Sequence, residues 1–285
     1  MFSNKLYSPL RYPGGKARFA PFIAKTMEHN GMSGGHYVEP YAGGAGIALD
    51  LIFSGHASHI HINDADPAIH AFWVSVTQHS SELLDLLETT PITMDEWFKW
   101  QTILREDNFD NVVEKGFATL FMNRTNRSGI LKAGVIGGKK QDGKYKLDAR
   151  FKKDVIASRI REIAKHSKQI SVYCMDSLEL LKNPAGLIPE NSFLYLDPPY
   201  YVKGKGLYRN YYTHDDHVLI AKTIQEKNFQ WPWIVSYDNT KEICEMYIKS
   251  QSLSYGLNYT AQKRYMGNEI MFFSDKLLVP DKGAP

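Results

Sequence analysis

The chain has 285 residues, of which 43% are apolar, 23% charged and 13% aromatic; these are the proportions of an ordinary folded protein of one large or two small domains, and they exclude collagen, coiled coil and wholesale disorder. The formal net charge of +3 is unevenly spread: Asn123 to Lys153 holds ten basic residues against Asp142 and Asp148, giving +8 there and −5 over the rest. That concentration points to a polyanionic partner. No run of about eighteen apolar residues occurs, so a membrane span is not expected. Met1 to Arg18 lacks the apolar core and small-residue cleavage site of a secretory leader. Cys174 and Cys244, the two cysteines, stand in no metal-ligand spacing; neither a disulfide framework nor a metal site is signalled, and a cytoplasmic location is expected.

In chain order, His36 to Pro40 reads as a short strand running into the glycine turn Tyr41-Ala42-Gly43-Gly44-Ala45-Gly46 and a helix over Ile47 to Phe53. His59 to Asp64 is an alternating, β-branched strand that ends on an acid. From about Phe72 to Val155 the pattern turns helical, with amphipathic stretches at Glu82 to Leu87, Met94 to Leu104 and Val112 to Phe121, and it ends in a glycine- and lysine-rich projecting hairpin or loop over Ser128 to Tyr145. Apolar strands return at Ile170 to Tyr173, Ser192 to Leu196 and Trp233 to Ser236, each followed by turn residues and a helical stretch. Ser252 to Tyr259 and Glu269 to Phe273 follow without a helix between them and predict a terminal antiparallel hairpin. The alternation predicts an α/β fold with a parallel sheet and crossover helices. Residues 1–71 and 156–285 are expected to form one domain, interrupted by a helical subdomain at 72–155 that walls one side of a cleft.

Three segments bear chemistry. The glycine turn lets a ligand approach the backbone, and Asp64, about twenty residues on, stands where a ribose diol would be gripped. Leu49 replaces the third glycine of the dinucleotide fingerprint, which argues against NAD. Gly138 to Lys144 imitates a phosphate loop, but Tyr145 occupies the Ser/Thr position and no buried strand precedes it. Asp197-Pro198-Pro199-Tyr200 closes the apolar strand Phe193 to Leu196, at the sheet edge where open α/β sheets bind ligands. Two prolines remove two N–H donors, leaving a carboxylate, free carbonyls and a ring. Acceptors without donors beside a flat surface suit a planar substrate with an –NH₂ group, such as adenine or cytosine. Around the motif, Tyr195, Tyr201, Tyr208, Tyr211 and Tyr212, interleaved with Lys203, Lys205 and Arg209, predict an exposed stacking and phosphate-binding loop.

Taken together these segments resemble the Dam-like (class alpha) DNA adenine-specific amino-methyltransferases over almost the whole chain. The resemblance implies a Rossmann-like S-adenosylmethionine-dependent methyltransferase sheet with an inserted target-recognition subdomain. It implies S-adenosylmethionine as methyl donor with no metal, and double-stranded DNA as partner; a cognate restriction endonuclease is a partner it allows, and a monomer or weak dimer is expected. Arg11 to Lys16 is similar to the family's N-terminal motif, in which Tyr12 and Lys16 meet the cofactor. Val38 to Gly46 is similar to the glycine-rich motif, bringing Glu39 and Gly43 to the cofactor, with Asp64 as the ribose acid. Cys174-Met175-Asp176 falls where adenosine contacts occur, with Asp176 the acid. Asp197, Pro198 and Tyr200 match the catalytic motif, Asp197 also facing the cofactor. Leu120 to Lys132 is similar to the segment leading into the DNA-reading hairpin. The basic segment, with Arg124, and Arg11 are expected to hold the DNA backbone, and Asn126, Arg127 and Lys132, with Ser128 and Ile130 nearby, to reach base edges. GATC-reading enzymes carry arginine where this chain has Lys132 and an aromatic where it has Arg127, so that target is not supported. Cytosine, RNA and a protein glutamine amide are the rival acceptors, since each offers an –NH₂ group.

Overall fold

The computed structural model describes residues 7–12, 16–105, 111–182, 186–202, 212–259 and 265–280. Pro13 to Gly15, Lys203, Lys205, Tyr208, Arg209 and Tyr211, all named above, lie outside the described residues. Two compact units divide the chain: one takes in Lys16–Ala65 and Tyr173 onward, the other Tyr7–Gly15 and Asp66–Val172. The expected division at 72 and 155 cuts through two helices, α3 (Pro67–Gln78) and α7 (Lys153–Lys165), whose apolar faces belong to the second unit.

The first unit carries α1 (Ala20–His29), β1 (Gly35–Glu39), α2 (Gly46–Phe53), β2 (Ala57–Asn63), α8 (Ser177–Lys182), β4 (Ser192–Leu196), α9 (His214–Ile224), β5 (Trp233–Asp238), α10 (Lys241–Met246), β6 (Gln251–Tyr259) and β7 (Tyr265–Phe273). With β3 (Ile170–Tyr173) at one edge, the seven-stranded sheet has the order β3-β2-β1-β4-β5-β7-β6. Strands β1, β2, β4 and β5 pair in parallel, whereas β7 runs antiparallel to both β5 and β6. This is the Rossmann-like α/β arrangement with the terminal hairpin that the strand pattern predicts. Parallel strands buried on both faces need unbroken apolar sequence, and every residue of β4 and of β5 is buried. On one face Leu194, Leu196, Val235 and Phe272 meet Leu180 of α8, Ile220 and Ile224 of α9 and Ile243 of α10 in a continuous core. On the other, Phe22 of α1 meets Phe273 edge to face.

The second unit adds α4 (Ser80–Thr89), α5 (Met94–Arg105) and α6 (Val112–Thr125) to α3 and α7. Helix α6 is buried along almost its whole length, against Trp100 of α5 and the following Phe151. Its buried residues include the polar Lys115, Asn123 and Arg124 as well as the apolar ones, so the burial of α6 requires partners for those groups. The segment after it folds as turns rather than a regular hairpin, with one antiparallel bridge between Asn126 and Val135. Among the described residues no helix is long and apolar enough to cross a membrane.

Candidate active site and nucleic-acid-facing loop

The first unit gathers its polar residues at the carboxyl ends of the parallel strands. Gly43 turns through a positive φ of 46°, and its amide donates to the Asp64 carboxylate at 2.9 Å, tying the turn after β1 to the end of β2. Gly46 opens α2 and has no room for a side chain: a Cβ would stand 2.9 Å from that of Ala17. Asn63 completes the clasp. Its amide donates to the Pro40 carbonyl at 2.9 Å and the Met175 carbonyl at 3.1 Å, and its oxygen accepts the Met175 amide at 3.0 Å. Asp176 is exposed and caps the start of α8, accepting the amides of Leu178 and Glu179.

Glu39 ends β1 in a buried position, where its Oε1 accepts the Ala48 amide at 3.0 Å and the Tyr37 hydroxyl at 3.1 Å. Burial pushes its carboxyl up to about 8; the two hydrogen bonds resist and the charge of Asp197 adds to the rise. Because the folded value exceeds the ordinary 4.5, the folded chain keeps a proton that the unfolded chain releases. That stabilisation is complete below pH 4.5 and disappears as pH climbs through about 8. Urea midpoints of wild type should therefore fall relative to those of Glu39→Gln between those limits; parallel midpoints would show that Glu39 ionises normally.

The Asp197 motif leaves β4 and turns against β5 and β7. The Asp197 Oδ1 accepts the Ser236 hydroxyl at 2.9 Å and lies 3.4 Å from the Lys16 ammonium. With its single proton thus committed, Ser236 must accept at 2.9 Å from the hydroxyl of Tyr195. Lys16 is itself buried, donating to Tyr200 Oη at 3.1 Å and to Glu269 Oε2 at 2.5 Å, and it stands 5.3 Å from the centre of the Tyr200 ring. Tyr200 passes its own proton to Glu269 Oε1 at 2.8 Å. Burial disfavours the charge on Lys16, but the two carboxylates outweigh that and raise its pKa. For Asp197, whose side chain is 25% exposed, loss of water raises the pKa first and Glu269 adds to it, against Lys16 and Ser236. Asp238, at the end of β5, binds the next two backbone amides, Tyr201 at 2.9 Å and Val202 at 3.0 Å, and so fixes how the chain leaves the motif.

Of the residues nominated from sequence, Lys16, Asp197 and Tyr200 converge directly, and Gly43 bonds to Asp64. Glu269, Ser236, Asp238 and Asn63 were not singled out. A lone acid heading the apolar run Ile270 to Phe273 was the available signal for Glu269. The expected exposed tyrosine loop is corrected at Tyr195, which is buried in β4, a central strand buried on both faces, where its hydroxyl meets Ser236. Tyr212 packs its ring on Tyr41. Among the described residues, no group of three or more His, Cys, Asp or Glu side chains could hold a metal ion.

In the second unit Tyr12 and Arg11 are half-buried. Asn123, another residue not singled out, latches this segment: its oxygen accepts the Arg11 amide at 2.7 Å, and its nitrogen donates to the carbonyls of Arg11 and Gly129, both at 2.8 Å. Arg124 donates twice to the Pro9 carbonyl, and burial, with Arg159 and Arg11 nearby, pushes it down to about 10. Asn126 is fully buried; its oxygen accepts the Trp97 indole N–H at 2.8 Å and its nitrogen donates to Ile130 and Leu131. Arg127 and Lys132 are exposed, as are Lys139, Lys140, Lys144 and Lys146. The false phosphate loop is held from within by Gln141, which donates to Ile136 and Gly138 and accepts from Leu147.

Comparison with known proteins decides the family: residues 12–263 match the profile of the D12 class N6 adenine-specific DNA methyltransferases. The chain belongs to that family. Membership makes it a DNA adenine methyltransferase and implies both S-adenosylmethionine use and DNA as substrate. A solved structure from Streptococcus pyogenes, titled a conserved hypothetical protein, is 11% identical over 85% of this chain and 88% of that one, with a TM-score of 0.33; a likeness so distant carries no argument. No curated protein matches the chain.

Proposed function

We infer that the methyltransferase takes its methyl group from S-adenosylmethionine and places it on the exocyclic amino nitrogen of an adenine rotated out of double-stranded DNA. The observation that carries this is the acceptor at the end of β4: Asp197, whose Oδ1 is already held by Ser236, beside Pro198, which has no N–H to offer, and Tyr200. Asp197 and the Pro198 carbonyl accept the two amino hydrogens and aim the nitrogen lone pair; Tyr200, fixed by its hydroxyl, supplies a ring for the base to stack on. A bound sulfonium would supply the methyl group, and the proton displaced from the nitrogen would leave along the hydrogen bond to Asp197. Positioning and fixed charge supply the acceleration, with no covalent intermediate on the chain.

The donor set fits the cofactor. Gly43 and Gly46 give close backbone approach, and Asp64 stands at the end of β2 beside that turn, where a ribose diol would be gripped; Glu39, buried at the end of β1, is the acid of the glycine-rich segment. Tyr12, Lys16, Asp176 and Asp197 complete the set that the family resemblance nominates. When bound, the sulfonium supplies an electrophilic methyl group; the chain's part is to hold and orient. Incubation with methyl-labelled cofactor and a mixture of DNA, RNA and protein, followed by hydrolysis, should return label as N6-methyladenine from duplex DNA. Label in cytosine, RNA or glutamine would replace this reading by one of its rivals.

DNA is engaged by the exposed cations Arg127 and Lys132, while Arg11, Arg124 and Asn126 shape the loop through their bonds to backbone carbonyls. Affinity should fall steeply with salt, by a logarithmic slope of about −0.9 per phosphate neutralised. Alanine at a phosphate-contacting residue should flatten that slope by about one contact, whereas alanine at a base-reading residue should leave it and relax sequence preference. An affinity indifferent to salt would exclude the phosphate contacts.

A further inference from the structure

We propose that Glu269 is a positioning residue of the methyl-transfer site, drawing Lys16 off Asp197 and pinning Tyr200, so that Asp197 keeps an oxygen to accept the hydrogen of the amine. The inference rests on the reading of Asp197 as that acceptor. Glu269 is fully buried on β7 and receives three donors: Lys16 at 2.5 Å and Tyr255 at 2.9 Å on Oε2, and Tyr200 at 2.8 Å on Oε1. The same ammonium is 3.4 Å from Asp197, so Glu269 holds the larger share of it. The β5–β7 register also sets Asp238 directly opposite Glu269. Like charges facing each other across a ladder are destabilising, and a buried ion pair stabilises no better than apolar residues of equal volume. An acid here therefore weakens the fold unless it serves the site.

Its effect on Asp197 follows from charge. The groups facing Asp197 are Lys16 before α1, Tyr37 and Glu39 on β1, Tyr195 on β4, Ser236 on β5, Tyr255 on β6 and Glu269 on β7. With Glu269 neutralised, Asp197 loses a like charge and Lys16 turns wholly to it. Both changes lower the pKa of Asp197 and occupy its oxygens.

The test is steady-state methylation of duplex DNA across pH by wild type, Glu269→Gln and Glu269→Asp, with thermal melting of each. Glu269→Gln is expected to lower kcat about tenfold or more, to leave KM for DNA within about twofold, and to move the acid limb of the kcat profile down by about one pH unit. Glu269→Asp keeps the charge but withdraws it by one methylene, so kcat falls while the limb stays. A wild-type profile in Glu269→Gln, or a loss of kcat with an unmoved limb, would overturn the role. Should Glu269→Gln not fold, wild-type kcat in Glu269→Asp overturns it instead. A wild-type enzyme that leaves adenine in DNA unmethylated removes the functional reading itself, a result separable from the other two.

Discussion

Replacing Asp197 by alanine is expected to lower kcat for methylation about a hundredfold or more, equivalent to roughly 3 kcal/mol of transition-state stabilisation, the effect of losing one preorganised partner of developing charge. Lys16 still has Glu269 at 2.5 Å when the carboxylate goes, but buried Ser236, which accepts from Tyr195, loses the acceptor of its own proton, a cost to folding of about 1–3 kcal/mol that thermal melting reads separately. The catalytic loss should lie in kcat rather than in KM for DNA. Single-turnover rates at saturating cofactor and DNA, with thermal melting as a control, decide the matter; a rate within about threefold of wild type would remove Asp197 from the chemistry.

Lys16→Met should produce the largest change in stability. The ammonium is nearly inaccessible, its carboxylate partner Glu269 wholly so, and the substitution leaves that carboxylate buried without its cation. Losing one partner of a buried pair costs about 3–5 kcal/mol, far more than the pair contributes relative to apolar residues. The double variant Lys16→Met/Glu269→Gln should recover most of the loss, because no buried charge then lacks a partner. Urea denaturation of the two single variants and the double closes the cycle. A Lys16→Met protein within about 1 kcal/mol of wild type would mean that the site admits water enough to solvate Glu269 alone.

Much of the frame could be read from sequence because hydrophobic periodicity reports burial directly. The strands expected at Ile170 to Tyr173 and Ser192 to Leu196 occur with those bounds, and the helix expected from Met94 reaches Arg105. The terminal pair appears as β6 and β7. Orientation of polar side chains was less legible. Asn126 and Arg124 sit in a basic, glycine-rich stretch that reads as surface, yet both turn inward to satisfy backbone carbonyls and an indole. A buried carbonyl needs a donor as surely as a phosphate does, and spacing along the chain cannot tell the two apart. Glu269 shows the converse. Its importance comes from Lys16, 253 residues away in sequence, and only the fold brings the two within 2.5 Å.

Asn63 also bears on how the enzyme meets its donor. A single carboxamide at the tip of β2 stitches Pro40 on one side to Met175 on the other, while Asp64 beside it secures Gly43. These bonds are internal to the chain and tie the turn after β1, the end of β2 and the approach to α8 into one arrangement, so the donor inferred above would find little left to order at capture.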